Sequence, residues 1–163
     1  MIGDVLVADT GSRGKGVFAR RDFAEGEFIF RRRHGRVLPG REIPSLSDEE
    51  RSHLCELDFD TYAVLLEPGC YLNHSCEPSA MRSGVKVFAW RPLRAGEEVT
   101  VDYRLNAYDD NETWTCLCGS EGCGGVVVGS FFSLSPETQR DYLRYAPGFI
   151  RAEYRRRIGS CPR

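Results

Sequence analysis

No stretch of this chain approaches the roughly 20 consecutive apolar residues that a membrane-spanning helix needs, so no membrane association is expected. Charge of one sign is missing as well. The 22 Lys and Arg residues against 24 Asp and Glu leave a net charge of −2, which gives no electrostatic case for direct nucleic-acid binding. Lysine is nearly absent: Lys15 and Lys86 stand against twenty arginines, and the plain reading is the codon bias of a GC-rich genome. The opening residues lack the layout of a secretory signal. Internal repeats, low-complexity segments and a convincing domain boundary are also lacking. No DNA-binding motif is recognisable in these residues. A length of 163 residues suits one domain with a sizeable core, expected as a monomer.

Cysteine, by contrast, is plentiful. The seven cysteines are an odd number, and a C-x-C pair is poorly placed to bridge within itself, so a disulfide framework is not the expectation. A reducing compartment follows, most simply the cytoplasm, with the nucleus as the alternative. Cys116, Cys118 and Cys123 fall within eight residues. Three thiolates on one tight loop can grip a Zn²⁺, which takes four ligands in a tetrahedron, so a fourth must come from elsewhere. Cys76, in Asn73-His74-Ser75-Cys76-Glu77-Pro78, is the candidate. A closed four-cysteine site is structural rather than catalytic. It would tie the late loop back onto this earlier polar motif and fix a two-walled surface suited to a small molecule. Cys55, Cys70 and Cys161 remain as inert core or surface thiols.

The chain between these points reads as mostly β. Short strands are expected around Val5–Val7, Gly16–Ala19 and Glu27–Phe30, separated by glycine turns. Residues 31–46 are basic and turn-rich and read as a loop. Ser47, with Glu50 three residues on, has the pattern of a capping box opening a short helix to about Cys55. Further strands are expected over Tyr62–Leu66, Lys86–Trp90 and Glu98–Tyr103, with residues 73–79 irregular and 104–115 mobile. Ser135-Pro136-Glu137 opens a helical tail. Pro147 breaks it, Phe149-Ile150-Arg151-Ala152-Glu153-Tyr154 starts a second turn or two, and Arg155-Arg156-Arg157 reads as a solvated helix end.

Taken singly, several polar motifs are weak. Gly14-Lys15-Gly16 can be a plain glycine turn, Asn73-His74 a polar turn, and Asp102-Tyr103 a packed strand end. Their order changes the reading. A glycine turn is followed by Asn-His-Ser-Cys-x-Pro, then Gly-Glu-Glu-Val-Thr-Val-Asp-Tyr, then Cys-x-Cys-Gly-Ser-x-x-Cys-x-Gly. The series resembles the SET-domain protein lysine methyltransferases with a post-SET zinc loop, over roughly residues 5–125.

The resemblance implies a SET fold of several small β-sheets around a knot-like crossing, in three parts. Residues 1–107 would form the catalytic domain, 108–129 the zinc loop and 130–163 a helical extension. It implies S-adenosylmethionine as cofactor, held by Gly14, Lys15 and Gly16 through backbone, by the Asn73 side chain and the His74 backbone, and covered by Leu117. Tyr103 would be the catalytic tyrosine, and Cys76, Cys116, Cys118 and Cys123 the zinc ligands. The methyl acceptor would be a lysine of a protein or peptide, with a basic peptide favoured if Glu56, Asp58, Asp60 and the pair Asp109-Asp110 flank its groove. Scarce lysine then gains a second reading, an enzyme that avoids presenting its own substrate group. Three departures stand out. Arg32-Arg33-His34-Gly35 has no tyrosine where the family often carries one, and Arg33 or His34 would have to substitute. Val101 stands where many relatives carry an aromatic that limits methylation, unless Tyr108 or Tyr62 fills the space. Ser79 replaces a usual asparagine and should alter one structural hydrogen bond. The alternatives are a non-catalytic module of the same fold that binds a partner, and methylation of a nucleophile other than lysine.

Overall fold

The structure is a computed structural model that describes residues 3–108 and 112–159. Asp109, Asp110 and Cys161 lie outside the described residues. Strands β1 (Val5–Asp9) and β2 (Lys15–Ala19) form an antiparallel hairpin with Val7 opposite Val17. Its turn closes through the Thr10 N–H on the Gly14 carbonyl (2.7 Å), and Gly14 sits at φ +69°, a conformation that favours glycine. Then come β3 (Phe28–Arg31), β4 (Arg33–Pro39), α1 (Asp48–Ser52), β5 (Leu54–Asp58) and β6 (Thr61–Leu66). They are followed by β7 (Asn73–His74), β8 (Ala80–Ser83), β9 (Lys86–Ala89), β10 (Thr100–Val101), β11 (Thr113–Thr115), β12 (Val126–Val128), α2 (Pro136–Tyr142) and α3 (Gly148–Gly159). Two sheets have three strands, in the orders β3-β9-β8 and β4-β6-β5.

The pairing that organises the molecule is small. β10 lies parallel to β7, with Thr100 opposite Asn73 and Val101 opposite His74. The Ser75 N–H continues the ladder onto the Val101 carbonyl at 3.0 Å. Just before β10, Val99 donates to Val17 (2.7 Å), and Ala19 donates to Glu97 (2.9 Å). One late segment therefore joins the N-terminal hairpin to the Asn-His motif. Its apolar residues alternate into a core of Val17, Phe30, Leu72, Val87, Val99 and Val101, and this burial is the main force holding the crossing.

A second core joins Met81 and Leu105 to Phe131, Leu134, Tyr142, Phe149 and Ile150, so the tail packs on the strands. Leu143 and Tyr145 pack against this core partly buried. Ser47 forms the full capping box with Glu50, although the helix ends at Ser52 and Cys55 lies in β5. Ser135 caps α2, and Pro136 is its first residue.

Several elements differ from the sequence reading. Residues 33–39 are an edge strand, not loop: β4 pairs with β6 although only Leu38 of it is buried. An edge strand that buries one side chain carries no alternating apolar signature. β5, β8, β11 and β12 were hidden for a related reason, being three to five residues long. Residues 73–79 begin with the two residues of β7. The expected strand over 98–103 shortens to β10, followed by a 3₁₀ turn at Tyr103–Leu105 that Asp102 caps through the Arg104 N–H. The triple arginine is not simply solvated: Arg156 (2.6 Å) and Arg157 (2.8 Å) both pair with Glu153, which is buried.

Candidate functional site

The Asn73 side chain faces the β1–β2 turn. Its Nδ2 donates to the Lys15 carbonyl (3.0 Å) and to Glu98 Oε1 (2.8 Å), and Glu98 also pairs with Arg13. Gly16 lies against this cluster. A Cβ there would come within 2.6 Å of Glu98 Oε1 and Thr10 Cγ2, and 3.2 Å from Asn73 Nδ2. Glycine is therefore required for the close approach. The Lys15 ammonium lies 4.8 Å from the Tyr71 ring centroid, on an exposed surface.

His74 is buried, and its ring bridges two parts of the site. Nδ1 accepts the Tyr103 N–H at 3.1 Å, which places the ring proton on Nε2, 3.5 Å from Cys76 Sγ. Burial drives its pKa down to about 4, and the Asp102 carboxylate 3.7 Å from Nδ1 offsets only part of that. The ring is therefore neutral at pH 7. Asp102 is buried and is gripped by Arg104 (2.7 Å).

Tyr103 donates its hydroxyl to the Leu72 carbonyl at 2.7 Å. The residue keeps 40% of its surface open, whereas its hydroxyl is crowded by protein, and this desolvation pushes its pKa up. The hydroxyl stays protonated at neutral pH.

Two cavities flank this tyrosine. The smaller, about 170 Å³, is lined by Arg13, Asn73, His74, Leu117 and Cys118, among others. The larger, about 530 Å³, is lined by Arg32, Cys55, Glu56, Tyr62, Arg82 and Val101, among others. Tyr103 and Trp114 line both. The structure thus gathers Asn73, His74, Leu117 and Tyr103 around one cleft. Gly14, Lys15 and Gly16 line neither cavity and connect to the cleft through the Asn73 bond to Lys15. Leu117 is 58% exposed at the rim.

Cys76, Cys116, Cys118 and Cys123 converge. Their sulfurs all lie within 4.8 Å of one another, with Cys76 and Cys116 at 3.9 Å. Thiolates about 2.3 Å from a tetrahedral zinc stand roughly 3.8 Å apart, so the donor set and spacing fit such an ion. Glu77 accepts the Gly122 N–H (3.1 Å), and the Cys116 N–H reaches the Gly125 carbonyl (2.8 Å). Burial raises the Cys118 thiol, but hydrogen bonds from Cys76 backbone and Ser120 outweigh it and bring the pKa down to about 6.

The three departures have local outcomes. Arg33 turns to the Glu67 carbonyl (3.2 Å), and His34 buries an unpartnered Nε2, so neither lines the cavities. Arg32 does line the larger one, buried, donating to the Gly84 carbonyl (2.8 Å). Val101 is buried in that cavity's wall. Tyr62 shares the wall, while the Tyr108 ring stacks edge-on against Phe59 (4.9 Å). Ser79 is buried, accepts the Thr100 N–H (2.9 Å) and donates to the Glu98 carbonyl (2.8 Å), pinning the crossing. Of the acidic residues, Glu56 reaches the larger cavity and Asp58 and Asp60 do not. Sequence reasoning missed Trp114, Glu98, Arg32 and Arg82. Glu98 and Trp114 had signals in their closeness to the Val-Asp-Tyr and Cys-x-Cys motifs; Arg32 lay in the stretch that lacks the family's tyrosine, where Arg33 or His34 was expected instead, and Arg82 had no signal.

Comparison with known proteins bears on the family and the fold. The family model described as SET domain matches residues 14–104. The chain is 28% identical to the H3 lysine-36 specific histone-lysine N-methyltransferase of Yarrowia lipolytica, over 77% of this chain and 18% of that protein. It is 28% identical to histone-lysine N-methyltransferase ash1 of Drosophila melanogaster, over 78% of this chain and 6% of that one. Methyltransferase flvH of Aspergillus flavus is 39% identical over 64 residues, 37% of this chain and 36% of that protein. The chain thus spans at most about a third of the length of these three relatives. The methyltransferase domain of human histone-lysine N-methyltransferase SETMAR superposes with a TM-score of 0.57 at 20% identity, over 74% of this chain and 56% of that one, which is a likeness of fold. The family model covers more than half of the sequence, and the chain belongs to the SET domain family.

Proposed function

We propose that this chain transfers methyl groups from S-adenosylmethionine to the ε-amine of a protein lysine. The observation that carries the reading is the pair of cavities that share Tyr103 and Trp114 as a common wall. A transfer between two molecules needs two sites that meet at one point, with the reacting atoms aligned there. In this reading the smaller cleft takes the cofactor and the larger cavity the acceptor.

S-adenosylmethionine, when bound, supplies an electrophilic methyl on a sulfonium. The cleft that would hold it is lined by Asn73, His74 and Leu117, and Gly16 lets the neighbouring turn pack against Asn73. Asn73 holds the Lys15 carbonyl and so shapes the turn, His74 offers its backbone, and Leu117 covers the rim. A lysine ammonium must lose its proton first, which costs about 4–5 kcal/mol at pH 7 from a pKa near 10.4. Apolar walls and nearby cations both disfavour the charged amine, and Leu72, Val101 and Arg82 provide them. Tyr103 stays protonated and is no base. Its oxygen, anchored on the Leu72 carbonyl, accepts an N–H of the neutral amine and turns the lone pair toward the cleft.

Zinc at Cys76, Cys116, Cys118 and Cys123 is structural in this reading. It fixes Leu117 and Trp114, which bracket Cys116, against the Asn-His segment. The domain division follows: 1–107 carries the chemistry, 108–129 the zinc loop, and 130–163 the extension. The two full-name relatives are histone-lysine N-methyltransferases, which favours a basic histone-like acceptor and the nucleus over the cytoplasm. Calorimetric titration with S-adenosylmethionine tests the first half. Binding that is absent from the zinc-loaded protein overturns the assignment.

A further inference from the structure

The acceptor cavity contains two buried guanidiniums, more positive charge than keeping one lysine neutral calls for. Arg32 and Arg82 both line it, 3% and 6% exposed. Arg82 donates to the Asp102 carbonyl at 3.1 Å, and Arg32 to the Gly84 carbonyl and toward Cys55 Sγ at 3.5 Å. Neither guanidinium forms an ion pair among the described residues, and the Nε of each is without a partner. Glu56 and Glu112 share the cavity wall. The Asp102 carboxylate is already bound by Arg104. Burial pushes the Arg82 pKa down to about 10, with the charge of Arg32 adding to it.

Two buried cations without a counterion are costly unless something anionic joins them. A guanidinium is the group best matched to a carboxylate, through paired N–H donors. The geometry points to a carboxylate subsite at Arg32 and Arg82, so that the methyl acceptor carries a carboxylate together with its amine. The carboxylate is either that of a free amino acid or an acidic side chain beside the target lysine. This inference rests on reading the larger cavity as the acceptor side. The amine sits at Tyr103 and the carboxylate at the arginines. The paired anion keeps the cavity from repelling the acceptor, while the residual positive field still favours a neutral amine.

The experiment measures binding, without turnover, on the full zinc-loaded chain. Calorimetry compares hexanoate with hexanamide, 6-aminohexanoate with its amide, and a lysine-glutamate peptide with its lysine-glutamine counterpart. A preference on the order of tenfold or more for the carboxylate member is expected. Preference within the small-molecule pairs identifies a free carboxylate as the source, and preference confined to the peptide pair identifies a side chain. Arg32→Met and Arg82→Met should each abolish it. The wild-type comparison stands even if a variant fails to fold. Equal binding within all three pairs overturns the subsite, whatever methyl transfer shows. Absence of methyl transfer alongside a clear preference overturns the transfer reading and leaves the subsite standing.

Discussion

Asn73→Ala probes the joint between the β1–β2 turn and the crossing. The side chain makes two hydrogen bonds, at 3.0 Å to the Lys15 carbonyl and at 2.8 Å to the Glu98 carboxylate. A neutral bond contributes about 1 kcal/mol and one to a charged group about 1.5–3 kcal/mol. Asn73 is only partly buried, so water replaces some of this and a net loss of about 2 kcal/mol is expected. If the turn must be ordered to bind S-adenosylmethionine, that loss weakens affinity roughly 30-fold. The same loss lowers the melting temperature by roughly 4–8 °C in a chain of this size. Asn73→Asp should be worse at pH 7, because it sets a second carboxylate against Glu98. Calorimetric titration and thermal unfolding of the three proteins read both effects. Equal cofactor affinity for wild type and Asn73→Ala would refute the role assigned to this residue, whatever happens to stability.

Other outcomes follow from the same geometry. Cys118→Ser should drop zinc from one per chain to near none by elemental analysis and weaken cofactor binding with it; a metal-free wild type that binds cofactor normally contradicts this. Tyr103→Phe keeps the ring and deletes the bond to Leu72, so turnover should fall on the order of 10²-fold with cofactor affinity nearly unchanged. Glu153 has its pKa lowered to about 2 by hydrogen bonds from Arg156 and Arg157. A depressed carboxylate contributes stability that is present above its ordinary value of 4.5 and lost as pH falls from there through about 2. The melting temperature of the wild type should therefore fall more steeply across that window than that of Glu153→Gln.

Legibility in the sequence followed how local each signal was. The cysteine cluster was readable because three of its thiols are neighbours and Cys76 sits in a distinctive motif. The capping box at Ser47 and the proline start at Ser135 were equally local. That Asn73, His74 and Tyr103 meet at one cleft was expected from the resemblance, and the parallel pairing of β7 with β10 is what brings them together. What stayed hidden depends on long-range register. β4 buries one side chain and draws its pairing from β6, so its own residues look like loop. Arg82 looks like any other arginine until its strand turns it inward, and which residue of Arg32-Arg33-His34 faces the cavity depends on strand register. Trp114 becomes part of the site only when the cysteine loop folds back over Tyr103.

The central claim is methyl transfer to lysine at Tyr103. The direct measurement is mass spectrometry of a protein lysate incubated with the zinc-loaded chain and S-adenosylmethionine bearing an isotopically labelled methyl. The account predicts labelled methyl on the ε-nitrogen of specific lysines, lost when Tyr103→Phe replaces the wild type. Tight cofactor binding with no label on any lysine would contradict it and leave a binding module of the same fold.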